Sequence, residues 1–204
     1  MTGTEKVHLA RNATTPEVLG ELANDESWRV RKAVAGNWHT PAYVLEKLAN
    51  DEAWMVRKAV AANINTPSEL LVKLVENDVD YVREAAASNP NMPKAVLEVL
   101  AKDGSDCVRR GVARNRSSPL NILMELAEDP NEFVREGVIN NPSTPVNVLI
   151  CMSQSLDSRT SQKARIALIG RLDELPEDPT LWLSLWSVAT PSEREAIKRH
   201  PVGS

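Results

Sequence analysis

The chain has 204 residues, of which 42% are hydrophobic and 25% charged, and its formal net charge is −4. This is the profile of an ordinary globular protein that buries a core without staples, and its slight acidity argues against nucleic acid as the main partner, because phosphate binding draws on clustered lysine and arginine. No apolar run approaches the ~18 residues of a membrane span, the opening MTGTEKVHLARN lacks the apolar stretch of a secretion signal, and Cys107 and Cys151 are too few for a disulfide framework, so a cytoplasmic protein with free thiols and no membrane partner is expected.

Along the chain, Asn12 and Pro16 open a pattern that the following residues complete. Val30-Arg31 is followed by Asn37 and Pro41, and the set returns with a period of 26: Val56-Arg57, Asn63 and Pro67; Val82-Arg83, Asn89 and Pro93; Val108-Arg109, Asn115 and Pro119; Val134-Arg135, Asn141 and Pro145. A fixed period in this range marks stacked repeats, here about six, the first one residue short and lacking its Val-Arg half.

Each repeat carries two helix starts. Thr15, Thr40, Thr66, Ser118 and Thr144 precede the prolines, which predicts an N-cap side chain followed by proline at the first helical position. The proline-led helix then shows one apolar stripe, as at Val44, Leu45, Leu48 and Ala49, or Leu70, Leu71, Leu74 and Val75, or Val96, Leu97, Leu100 and Ala101. Asp25, Asp51, Asn77, Asp103 and Asp129 predict the second N-cap, with Pro130 at the first helical position of the last. In this Val-Arg helix the stripe is Val30, Ala33 and Val34, and the small position recurs as Ala59, Ala85, Gly111 and Gly137. Glycine inside a helix costs roughly 1 kcal/mol relative to alanine, so a neighbouring backbone is expected to pass close by.

The recurring Asn37, Asn63, Asn89, Asn115 and Asn141 each bring amide donors and a carbonyl acceptor to a turn, and are expected to form a ladder. Arg31, Arg57, Arg83, Arg109 and Arg135 stand six residues after the aspartates (Asn77 in the third case), and exposed pairs within or between repeats are expected to set register. After about Met152 the pattern fades. Asp157–Leu175 reads as a longer helix, Pro176–Pro179 as a break and Thr180–Ala189 as strongly apolar, before Thr190-Pro191 starts a last helix. Leu181, Trp182, Leu185 and Trp186 read as a terminal cap on the core or, alternatively, as a docking helix.

The stretch VRKAVAANINTPSELLVKLVEN, Val56–Asn77, resembles the leucine-rich repeat variant family, related in shape to HEAT and armadillo solenoids, and the resemblance covers about residues 5–153. It implies an all-α, right-handed superhelical solenoid over 1–153, with one helix per repeat short or 3₁₀, continuous with a helical C-terminal cap over 154–204. Some members of that family hold an iron–sulfur cluster on amino-terminal cysteines. Here no cysteine precedes Cys107, so no cluster, metal or other cofactor is expected.

No catalytic constellation stands out. His8, His39 and His200 are scattered, and the acidic residues mostly recur at equivalent places, Asp78 and Asp80 excepted, which are expected in solvent. A non-enzyme is expected. Binding positions should be those that break the repeat. At 100° per residue Trp28 lies about 160° from buried Val30, on the outward side, and Trp54 is its equivalent. The column then becomes Asp80, Asp106 and Glu132, and small Ala35 and Ala61 would leave the indoles uncovered. Two readings stay open: an interaction surface, or indoles packed on the next repeat or lidded by Arg31 and Arg57. A second column, Arg29, Met55, Tyr81, Cys107 and Phe133, is expected half-buried. Arg110, Arg114 and Arg116, beside framework Arg109, form either a local basic patch or a solvated face.

The leading expectation is a non-catalytic scaffold presenting a curved surface about 50–60 Å long to a protein or peptide, through Trp28, Trp54, Tyr81 and Arg110. The alternative, by analogy with HEAT-like DNA glycosylases, is nucleic-acid binding, with Arg110, Arg114 and Arg116 joining Arg29, Lys32 and Lys58 on a concave side. The sequence leaves the oligomeric state open.

Overall fold

A computed structural model describes residues 1–76 and 79–199. Asn77, expected as a cap, Asp78, expected in solvent, and His200 lie outside the described residues. Among those described there is no strand, and the helices sort into two compact units, Met1–Ser118 and Pro119–Ser204.

The first unit holds α1 (Gly3–Asn12), α2 (Pro16–Leu22), α3 (Trp28–Ala35), α4 (Ala42–Leu48), α5 (Trp54–Ala62), α6 (Ser68–Glu76), α7 (Asp80–Ser88), α8 (Lys94–Leu100) and α9 (Asp106–Arg114). The odd-numbered helices from α3 onward are the Val-Arg helices, and each packs on the next of its kind. α1 takes the same place against α3, so the first repeat does have a second helix, though its sequence lacks Val-Arg. The proline-led helices are short, as the resemblance implies, but α-helical; the 3₁₀ turn described in the chain is Leu172–Glu174. Between the two rows runs the core: Val30, Val34, Leu45, Leu48, Val56, Val60, Leu71, Val82, Leu97, Val108 and Val112 are all 2% exposed or less. Each such side chain contributes about 1.5–3 kcal/mol by leaving water. α7 and α9 pack most closely, and a Cβ built on Gly111 would stand 2.6 Å from the Glu84 carbonyl oxygen.

The predicted caps are mostly displaced, although Thr15 does stand at the N-cap of α2 with Pro16 starting the helix. The proline itself is the N-cap of α4 and α8, at Pro41 and Pro93, and Thr15 caps α2 without a side-chain hydrogen bond. The hydroxyls turn back instead: Thr40, Thr66 and Ser118 donate to the carbonyls of Val34, Val60 and Val112 at 2.6, 2.5 and 2.6 Å, closing the preceding helix. The aspartates sit two residues ahead of the real N-caps. Asp25, Asp51 and Asp103 accept from the N–H groups of Ser27, Ala53 and Ser105 at 2.9, 2.9 and 2.8 Å, so each makes a tight turn before its helix.

That turn leaves both carboxylate oxygens open to the arginine of the preceding repeat, Oδ1 accepting from the turn N–H as well. Arg31 donates from Nε and Nη2 to Asp51 at 2.6 and 2.9 Å, and Arg83 likewise to Asp103 at 3.1 and 3.1 Å. The remaining guanidinium nitrogen faces the arginine's own repeat, Arg31 Nη1 reaching the carbonyls of Asp25 and Glu26 and Arg109 Nη1 those of Asp103 and Gly104. Arg57 makes the same turn contacts with Asp51 and Glu52. These pairs are not the exposed ones expected: the side chains of Arg31 and Asp51 are 11% and 6% accessible, because stacked repeats bury both flanks of each turn. Lys6 supplies the equivalent rung to Asp25 at 2.7 Å.

The pairs carry a pH signature. The Lys6 hydrogen bond, assisted by the Ser27 N–H, holds the Asp25 carboxyl below its ordinary range. At Asp51 burial acts most strongly and upward, but hydrogen bonds from Arg31 and the Ala53 N–H, with the charges of Arg31 and Arg57, outweigh it and leave the group lowered. A lowered folded pKa means that fewer protons bind to the folded state. The stabilisation is complete above the unfolded value near 4 and disappears as pH falls through the folded one. The melting temperature is therefore expected to drop as pH goes from about 5 to 2, and less steeply in Asp51→Asn. Equal slopes in parent and variant would remove Asp51 from this account.

The asparagines make the central ladder of the first unit. Asn37 Nδ2 donates to the carbonyls of Ala10 and Ala13, both at 2.8 Å; Asn63 to Ala35 and Asn37 at 2.7 and 2.9 Å; Asn89 to Ala61 and Asn63 at 2.9 and 2.8 Å; and Asn115 to Ala87 and Asn89, both at 2.7 Å. Each Oδ1 accepts the N–H two residues on, from His39, Asn65, Asn91 and Ser117. A second, outer ladder runs beside it, Asn65, Asn91 and Ser117 donating to the carbonyls of Trp38, Ile64 and Pro90 at 2.5, 2.6 and 2.9 Å.

The second unit holds α10 (Leu120–Ala127), α11 (Glu132–Ile139), α12 (Val146–Ser153), α13 (Ser158–Ile169), α14 (Pro179–Val188) and α15 (Pro191–Arg199). The repeat grammar continues in it. Thr144 donates to the Val138 carbonyl, Asp129 accepts the Asn131 N–H, and Asn141 accepts the Ser143 N–H. Pro130 therefore precedes the helix instead of starting it. Arg135 reaches the carbonyls of Asp129 and Pro130 and the carboxylate of Asp157. Leu181, Trp182 and Leu185 are buried, with the Trp182 indole N–H donating to the Pro176 carbonyl at 3.0 Å, while Trp186 is half-buried beneath Arg194 and Lys198. Leu181, Trp182 and Leu185 thus belong to the core of their own unit, while Leu183 on the same helix is exposed.

Candidate interaction face

The core side of the Val-Arg helices is fixed by buried Val30, Val56, Val82 and Val108; Trp28 and Trp54 stand two residues before the first two of these and Tyr81 one before the third. Trp28 is half-buried, with the Arg29 guanidinium 4.8 Å from its ring centroid. Trp54, 38% exposed, stacks on Tyr81 of the next Val-Arg helix, ring centroids 5.5 Å apart and planes at 26°. The Lys58 ammonium lies 5.4 Å from the same tyrosine ring. Trp54 thus packs on the next repeat, one of the two readings left open, but neither indole is lidded by Arg31 or Arg57, which are held in the turns.

Two further expectations change. Ala35 and Ala61 do not flank the indoles in solvent: both are fully buried, because these helices bury more than one side. In the second column, Met55 and Cys107 are half-buried as expected, but Arg29, Tyr81 and Phe133 are exposed. Burial, the largest influence, raises the Cys107 thiol pKa, which disfavours a reactive thiolate.

The charges divide along the first unit. On α7 and α9 they are matched internally, Asp80 with Arg83 at 3.0 Å and Glu84 with Arg110 at 2.6 Å. Arg110, expected in a free basic patch, is therefore committed to a carboxylate that holds its guanidinium pKa up. Arg114 and Arg116 remain exposed. On α1, α3 and α5, by contrast, Arg11, Arg29, Lys32 and Lys58 make no ion pair with any described carboxylate. Three of them stand at or beside a groove of about 550 Å³ lined by Val7, Arg11, Trp28, Arg29, Lys32, Ala33, Gly36 and Ala59. Arg11 was not singled out in the sequence, since the first repeat runs out of register there.

Among the described residues no group of three or more His, Cys, Asp or Glu is placed to hold a metal ion, and no helix is long and apolar enough to cross a membrane. His8 sits against Asn12, and His39 packs on Trp38 with centroids 4.6 Å apart.

Among solved structures, the chain is similar to one described as a leucine-rich repeat variant with a novel repetitive protein structural motif, at 25% identity and a TM-score of 0.55, covering 79% of this chain. The chain spans 64% of the length of that protein. It is also similar in fold to the E. coli protein YibA, at 18% identity and a TM-score of 0.54, over 97% of this chain and 85% of that one. No protein-family model matches, and neither does any curated protein. The recurring Val-Arg, Asn and Thr-Pro pattern thus belongs to an all-helical repeat fold of the kind seen in these two structures.

Proposed function

We propose that this helical repeat protein is a non-catalytic interaction scaffold that binds a protein or peptide on the Val-Arg helix face of its first unit. The observation that carries the reading is the exposed Trp54–Tyr81 stack on adjacent helices, with half-buried Trp28 at the equivalent place on α3 and nearby cations that no described carboxylate matches. Exposed aromatics in a row are uncommon on a protein with no partner, and aromatic and arginine side chains dominate binding energy where they are covered. Nucleic-acid binding has less support, because Arg110 is matched by Glu84 within the fold.

The test is affinity capture from native lysate with the parent chain and with Trp28→Ala/Trp54→Ala. The double variant is expected to lose the partners that the parent retains while keeping its helical circular dichroism. A second pair, Trp54→Ala/Tyr81→Ala, touches only exposed rings and guards against misfolding at half-buried Trp28. If both variants retain every partner, the assignment of this face is wrong.

A further inference from the structure

We infer that the groove beside Trp28 receives an extended segment of a partner protein in which a short apolar core is flanked by acidic residues. The inference rests on the interaction-scaffold reading and names the chemistry of what is bound. The floor is apolar, made of Val7 from α1, Trp28 and Ala33 from α3, and Ala59 from α5. Gly36 leaves one wall without a side chain, and a Cβ built there would meet only helix carbonyl oxygens, at 3.5 and 4.0 Å. About 550 Å³ is within the range of a real ligand site and has room for one or two apolar side chains of a peptide.

The rim decides the charge of the occupant. Arg11, Arg29 and Lys32 are all exposed, and none has a carboxylate partner among the described residues, whereas Lys6, Arg31, Arg83 and Arg110 in the same unit each have one. Three positive charges at this groove are therefore without an ion-pair partner among the described residues. Carboxylates on either side of a seated apolar side chain complement them, setting orientation and speeding association.

A single nucleic-acid strand fits less well, although stacking on aromatic rings with nearby cations is how such strands are held. Each ring already has one occupied face: Arg29 lies over Trp28, Tyr81 stacks on Trp54, and Lys58 lies over Tyr81. Farther along the row, on α7 and α9, Arg83 and Arg110 are paired with Asp80 and Glu84, so the row of unmatched cations does not continue for a phosphate backbone to follow.

The experiment is fluorescence anisotropy of the full chain with a fluorescein-labelled peptide, Gly-Asp-Glu-Leu-Phe-Asp-Glu-Gly, at low ionic strength. Its amide counterpart, with Asn and Gln for Asp and Glu, and an oligothymidine of similar length serve as the other probes. The acidic peptide is expected to bind, and to weaken about tenfold at high salt as exposed charges are screened. Arg11→Glu/Lys32→Glu, which alters only exposed side chains, is expected to weaken it by about tenfold or more without changing the thermal melt. The inference is overturned by absence of binding at low salt, by equal binding of the amide peptide, by an unaffected charge-reversal variant, or by tighter binding of the oligothymidine. If the peptide fails while the tryptophan variants still lose their captured partners, the scaffold reading stands and the acidic chemistry falls.

Discussion

Asn89→Ala is expected to cost roughly 3–5 kcal/mol, an effect that its ladder neighbour Asn115 shares. The Asn89 side chain is 3% exposed and makes three hydrogen bonds, from Nδ2 to the carbonyls of Ala61 and Asn63 and from the Asn91 N–H to Oδ1. Removing it leaves buried backbone groups without partners, at about 1–3 kcal/mol each, and no neighbour can replace the missing amide. Urea unfolding followed by circular dichroism measures the loss. Asn89→Asp sharpens the test, since it keeps the shape and the Oδ1 acceptor but points a carboxylate at two carbonyl oxygens. At neutral pH it should be at least as damaging as alanine, and an aspartate variant of parental stability would refute the ladder's dependence on its donors.

Gly111→Ala sets two principles against each other. Helix propensity alone predicts a gain of roughly 1 kcal/mol in the middle of α9. Geometry predicts a loss, because the new methyl would lie 2.6 Å from the Glu84 carbonyl oxygen, 3.1 Å from Ala87 Cβ and 3.2 Å from Ser88 Oγ. The first of these is backbone and cannot rotate aside, so α7 and α9 must separate. A net destabilisation of about 1–3 kcal/mol is expected. Gly3→Ala is the control: that position is also helical, but a Cβ there meets nothing within 4 Å, and a small gain is expected. If Gly111→Ala stabilises the chain as Gly3→Ala does, the close approach of the two helices is not what the glycine serves.

Much of this architecture is legible because the 26-residue period writes the same physics repeatedly. The helix pair, the buried valines and leucines, the asparagine positions and the close approach at Gly111 all follow from it. The pattern says less about where a polar side chain spends its hydrogen bond. Thr40 and Asp51 are both residue types suited to helix caps, yet Thr40 turns back to Val34 and Asp51 makes a turn two residues early. Residue type gives the capacity to bond, and the partner depends on the chain path. Lys6 was hidden for a different reason: the first repeat is one residue short, so the cation equivalent to Arg31 falls 25 residues before it and is not an arginine.

The interaction face was legible only in part. Trp54 and Tyr81 are 27 residues apart and so fall in separate columns of the repeat, but adjacent Val-Arg helices meet with a one-residue offset that brings those rings together. Arg110 and Glu84 are 26 apart, with opposite charges in one column, and that pairing was open to view. The groove needed coordinates, since Val7 and Arg11 belong to a repeat whose sequence has lost its marker residues.

The asparagine ladder also bears on how such a chain changes length. Asn63, Asn89 and Asn115 each donate to one carbonyl 26 residues back and another 28 back, whichever repeat they belong to. Excising or duplicating a block of one period would bring together donors and acceptors that already match, with no new contact to invent. Growth by copying is in this sense built into the joint, and diversification can be confined to the few side chains that the joint does not use.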